Sequence, residues 1–238
     1  MRRWIIFCLA ILIVLLYQNT SAQLQAGAFL GFKSYSLKSV GTLTQNGAIQ
    51  TTPSADAGGT VFEFGGFGGY TPVSAGIYHL DLQLQASYSS IGFYERSYNS
   101  TYNSGQFSAD GWSGATTSNI EIEVLGLNRI SFPAFKLIEP YAGAGLSFDI
   151  MSTSDLGYGP PYANTSGTVA GKGQFKMGLV IAYGVIFNVA PFLSPYIQLR
   201  HLIPFGSETQ LTNDPRWIVI IKDVPSYFSL TAGVRFDL

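Results

Sequence analysis

From Tyr227 to Leu238 the chain alternates without a break. Phe228, Leu230, Ala232, Val234, Phe236 and Leu238 interleave with Tyr227, Ser229, Thr231, Gly233, Arg235 and Asp237. Successive side chains of a strand point to opposite faces, so such a segment has one apolar face and one polar face bearing both charge signs. Seven earlier segments repeat the pattern: Leu24–Lys33, Thr60–Tyr70, Leu80–Ser89, Ile120–Val124, Tyr141–Ile150, Phe175–Phe187 and Tyr196–Arg200. The period is two throughout, not the 3.6 of a helix.

The connections alternate as well. Short ones, Thr71–Ile77, Ser131–Ile138 and Ala190–Ser194, each contain a proline (Pro72, Pro133, Pro191); long ones fall near 34–59, 95–118, 152–173 and 206–225. Short turns on one side and long loops on the other are the layout of a membrane-spanning barrel. A sheet in lipid cannot leave an edge unpaired, which forces closure. The predicted fold is therefore all-β: a closed antiparallel transmembrane β-barrel of eight strands in an up-and-down meander. An even strand count puts both termini on the same, periplasmic side.

Composition decides which face looks outward. Only 11% of the residues are charged, against about a quarter in soluble proteins. The polar faces carry mostly Gly, Ser, Gln and Tyr, which suits a narrow packed interior. A soluble lipocalin-like barrel, the inside-out rival, would expose a polar face rich in Lys and Glu. Aromatics near strand ends (Tyr70, Tyr78, Phe93, Tyr94, Tyr141, Phe192, Tyr196) are expected to form interfacial girdles.

The N-terminus reads as an address. Arg2 and Arg3 precede an apolar run from Trp4 to Tyr17, then the small residues Thr20, Ser21 and Ala22. That order predicts a cleaved signal peptide over 1–22 and a barrel domain over 23–238. About 14 apolar residues fall short of the roughly 20 that a spanning helix needs. Cys8, the single cysteine, lies inside this run, so the mature chain has no thiol chemistry. Without Arg2 and Arg3, 11 of the 13 basic residues remain against 14 acids, and no basic run points to nucleic acid.

Charges at inward positions are Glu63, Asp81, Glu121, Glu123, Asp149 and Asp237, opposed by Lys33, Arg129, Lys176, Arg200 and Arg235. They form either charged constrictions in a pore or a salt-bridged plug. The plug is preferred, because an eight-stranded barrel is only wide enough for side chains to fill, and buried charges need partners. Glu121 and Glu123 share a face and are expected to pair with Arg129, Arg200 or Arg235. His79 and His201 are the only histidines, and neither has a nucleophile placed beside it in sequence. No catalytic residue is assigned, and no cofactor or metal is expected, since no Cys or His/Asp cluster has ligand spacing.

The long connections are informative too. Asn46-Gly47 between alternating residues predicts a hairpin that carries the first two strands beyond the membrane. Ser97–Trp112 is rich in Tyr, Asn, Ser and Gly, a composition suited to adaptable contacts. Trp217-Ile-Val-Ile-Ile221 is a continuous apolar run. Bare in water it would promote aggregation, so it should extend the last hairpin, cap the lumen or bind something apolar.

Thr231-x-Gly233-x-x-Phe236-x-Leu238 resembles the C-terminal assembly signal of bacterial outer-membrane barrels. With Leu82–Tyr88 and Pro140–Phe148 it makes the mature chain similar to small outer-membrane barrels, particularly the porin-like and PorT-like families of Bacteroidetes. The resemblance implies a Gram-negative outer-membrane location, with lipid and the barrel-assembly machinery as partners. It further implies a monomer that is not an enzyme, with an envelope-structural or surface-interaction role and a possible extracellular ligand or protein bound through the loops. A narrow transporter of small or apolar molecules, or an accessory part of a secretion system, are the alternatives. Outer-membrane lipid A deacylases place a Ser two residues beyond an outward His; here Ile203 stands two beyond His201.

Overall fold

The computed structural model describes residues 23–238 except 46–47, 52–54, 94–96, 103–104, 111–114, 136, 159–166, 207, 211–216 and 223–226. The expected signal peptide over 1–22 and the expected turn at Asn46-Gly47 lie outside the described residues. Eight long strands form the wall: β1 Gln23–Gln45, β2 Ala55–Ala75, β3 Tyr78–Phe93, β4 Ala115–Ile130, β5 Ile138–Thr153, β6 Gly173–Phe187, β7 Leu193–Pro204 and β8 Tyr227–Asp237. Each pairs antiparallel with the next, and β8 returns to β1 from Gln25↔Asp237 to Tyr35↔Tyr227, closing the sheet. The fold is an all-β, closed eight-stranded meander barrel.

Alternation sets the two faces. Leu30, Leu84, Val124 and Leu230 stand on the outside, each more than half exposed, while Glu63, Glu123 and Arg200 on the inside have no exposure at all. An outer wall of this kind is stable only against lipid. The inside is a packed mixture of polar groups and an apolar cluster that includes Phe29, Phe67, Leu125, Leu127, Tyr141, Val180 and Tyr196. Tyr141 and Tyr196 therefore correct the girdle expectation: both lie on inward positions and fill the lumen, at 6% and 5% exposure. Tyr70, Tyr78 and Phe192 are exposed, as a girdle requires; the side chains of Phe93 and Tyr94 lie outside the described residues. On β5 the wall leaves no space for side chains inside: a Cβ at Gly143 or Gly145 would come within 2.0 Å or 1.9 Å of a carbonyl oxygen of β4.

The first short connection is tighter than its sequence suggests. β2 runs on through Thr71 and Pro72 to Ala75, and the turn is only Gly76-Ile77. The pairing shifts between Tyr70 and Val73, so Pro72 sits at a bulge, where its missing N–H costs no ladder bond. Gly76 supplies the positive φ of 63° that the hairpin needs.

Much of the four long connections is strand. Ala48–Thr51 pairs back onto the end of β1; Ser97–Tyr102 pairs with Gly105–Asp110, and Leu156–Tyr158 with Gly167–Val169. Trp217–Lys222 pairs with Lys38–Leu43 of β1 on one side and with Glu208–Gln210 on the other. Its backbone thus extends the wall above β8, so of the three expectations for this run the sheet extension holds.

Candidate functional site: the charged lumen

Every charged residue assigned to the lumen lies on the inner face, in two groups. The upper group lies toward the long connections; the lower lies toward the short turns and Gln23. Cross-strand register explains the grouping. Glu121 faces Ser87 on β3 and Asp149 on β5; Arg200 faces Ser229 on β8; Asp149 faces Lys176 on β6.

The upper group is enclosed. Arg200 spans the lumen, donating from Nη2 to Glu63 Oε2 at 2.7 Å and from Nη1 to Glu123 Oε2 at 2.8 Å. The Ser229 hydroxyl also contacts Glu63, and Arg200 Nη2 donates to Ser229 at 3.1 Å. Lys33 Nζ donates to Glu121 Oε2 at 2.8 Å, stands 3.7 Å from Glu63 and lies over the Tyr227 ring at 4.1 Å. Ser147 lies 3.0 Å from Glu121 Oε1 and 3.3 Å from Asp149 Oδ2, while Asn119 donates to Asp149 at 2.9 Å. Charge-assisted bonds of this kind are about twice as strong as neutral ones, and each charge removed from water needs them.

The lower group sits nearer the rim. Asp81 receives Thr71 at 2.7 Å and both Arg129 and Arg235 at 3.1 Å. Arg235 also reaches Asp237 at 2.6 Å. Arg129 reaches Glu139 at 2.5 Å, and Ser131 bonds the same carboxyl. Between the groups Phe67, Leu127, Tyr141, Ile186 and Tyr196, with Gln83, Gln85 and Gln198, surround a cavity of about 10 Å³, room for one water.

Of the partners expected for Glu121 and Glu123, Arg200 does hold Glu123, but Glu121 takes Lys33, while Arg129 and Arg235 serve the lower group. Glu139 was missed: Pro140 interrupts the apolar pattern, although 139 shares the inward parity of 141 to 149. Adding it makes seven acids against five bases. Lys176 is half-buried opposite Asp149. In the assembly-signal segment, Thr231 is buried, Phe236 and Leu238 are exposed, and a Cβ at Gly233 would meet the Tyr196 ring at 2.7 Å.

The histidines lie elsewhere. His201 stacks on Phe228 on the outer face, with centroids 4.2 Å apart, and among the described residues it has no carboxylate or hydroxyl partner. His79 Nδ1 lies 2.9 Å from Ser74 Oγ beside the first turn. Among the described residues no cluster of His, Cys, Asp and Glu could hold a metal.

No family model and no curated protein sequence matches the chain. Solved structures do match. The outer membrane protein OprG of Pseudomonas aeruginosa covers 90% of this chain and 96% of its own, at TM-score 0.53 and 14% identity. Neisserial surface protein A covers 89% and 99%, at 0.44 and 15%. The outer membrane protease OmpT of Escherichia coli covers 93% and 99%, at 0.49 and 11%. The likeness to OprG is one of fold: this is a barrel of the bacterial outer-membrane type.

Proposed function

We propose that the chain is a non-enzymatic outer-membrane barrel, closed along its axis, that serves the envelope through structure or surface interaction rather than transport. The observation that carries this reading is Arg200, fully enclosed between Glu63 and Glu123, with the remaining inner positions filled by side chains. A lumen shut by paired charges leaves no continuous path for solutes. What remains to act is the outer end, where the wall strands and their extensions run beyond the lipid belt. In this reading both termini face the periplasm, the chain is a monomer and the extended strands meet an extracellular ligand or protein. Thr231, Gly233, Phe236 and Leu238 act as the signal to the assembly machinery. The finer kinship with PorT-like barrels rests on the sequence pattern.

Single-channel recording of the refolded mature protein in planar bilayers tests it. At neutral pH no steps are expected. Steady current in the native protein, altered by Arg200→Ala or Arg235→Ala, would mean an open lumen and make transport the function.

A further inference from the structure

The upper group has more acid than it can neutralise. Glu63, Glu121, Glu123 and Asp149 face Lys33 and Arg200, and all six are at most 4% exposed. Counting half-buried Lys176 opposite Asp149 still leaves one negative charge in excess. The lower group also has one acid too many, but there Glu139, Arg129 and Asp237 reach the rim. Above, protein encloses the surplus, and an uncompensated buried charge is strongly unfavourable.

Glu121 and Glu123 stand two residues apart on the inner face of β4, and both are fully buried. An ionised carboxylate can only accept, so when enclosed it needs a donor at each oxygen. Glu123 Oε1, fully enclosed, meets no donor from any described residue, and Asn119 Oδ1 also lacks a partner. Ser147 has one hydrogen for two carboxyl oxygens, those of Glu121 and Asp149. Glu123 is the one acid of the set with a carboxyl oxygen that meets no donor among the described residues, and one proton there removes the surplus charge.

We propose that the closed barrel holds one proton on Glu123 and that this proton helps keep the lumen shut. The groups facing the pair are Lys33 on β1, Glu63 on β2, Ser87 and Gln85 on β3, Ser147 and Asp149 on β5, Arg200 on β7, and Tyr227 and Ser229 on β8. Lys176 on β6 stands behind Asp149. Loss of the proton to bulk base places two negative carboxylates side by side in an enclosed space. Their repulsion parts the pair, and Arg200 must divide between Glu63 and a fully charged Glu123. Water then enters the upper constriction. The barrel is thus silent at neutral pH and leaky in alkali, with current carried by cations because acids outnumber bases along the lumen. The inference builds on the sealed-lumen reading.

Two measurements on the refolded mature barrel test it. Infrared spectroscopy should show the carbonyl stretch of a protonated carboxyl at neutral pH, lost in Glu123→Gln and kept in Asp149→Asn. A neutral-pH native spectrum without that band would overturn the proposal and needs no variant to fold. In planar bilayers, alkaline pH should bring cation-selective steps in the native protein, while Glu123→Gln, neutral at any pH, should stay silent. Traces as silent in alkali as at neutral pH would also overturn it. Native current already present at neutral pH would instead defeat the sealed-lumen reading, with the infrared band still deciding the proton.

Discussion

Arg200 shows how much one residue can hold. It joins Glu63, 137 positions earlier, to Glu123 and Ser229, and no atom of it reaches solvent. Truncating it strands two carboxyls in the interior, so Arg200→Ala should cost about 3–5 kcal/mol of stability, read as a lowered urea midpoint for the refolded barrel. Arg235→Ala should cost less, because Asp237 sits at the rim and can recover water. Equal losses would mean that the upper group is not enclosed. The side of the wall each charge occupies was legible from parity alone. The partner was not, because pairing across a lumen depends on how the wall curls, which no stretch of local sequence encodes. Glu139 slipped past for a local reason: a proline beside it broke the apolar alternation that marks a strand.

At the scale of the strand, the outer and inner faces obey different rules. Leu84 lies midway along the lipid-facing row of β3, and Leu84→Arg should destabilise by about 2–4 kcal/mol, the cost of a charge near the bilayer midplane. A loss well under 1 kcal/mol in folding titrations into lipid vesicles would place that row outside the bilayer core. Gly145→Val should do more than destabilise. With a carbonyl 1.9 Å from the added Cβ, β4 and β5 must part. The expected outcome is failure to convert to the compact form on unheated gels, while Gly68→Ala, which meets open space, converts normally. Strand number and direction could be read from periodicity. Strand ends could not, because β2 passes through Pro72 by a bulge, and because β1 continues into pairings with Ala48–Thr51 and Trp217–Lys222 that depend on distant segments.

For the whole molecule, the fold was legible because closure in lipid leaves few alternatives to a pattern repeated eight times, whereas the partner was not, because an outer surface faces no such constraint. Deleting Phe236 to Leu238 should sharply reduce the folded barrel recovered from outer membranes; undiminished recovery would mean that assembly does not read this end. The seam between β1 and β8 carries a further consequence. Strand pairing tolerates a slip of two residues without complaint from the hydrophobic pattern, since every side chain keeps its face. Lys33 and Ser229 stand opposite each other across that seam, and both contact Glu63. A slip of two would carry one of them a full repeat, roughly 7 Å, out of reach. The buried charges therefore proofread the closure: they reject registers that greasiness alone would accept, and a barrel zipped two residues out of step would keep a live charge in its core as the mark of its error.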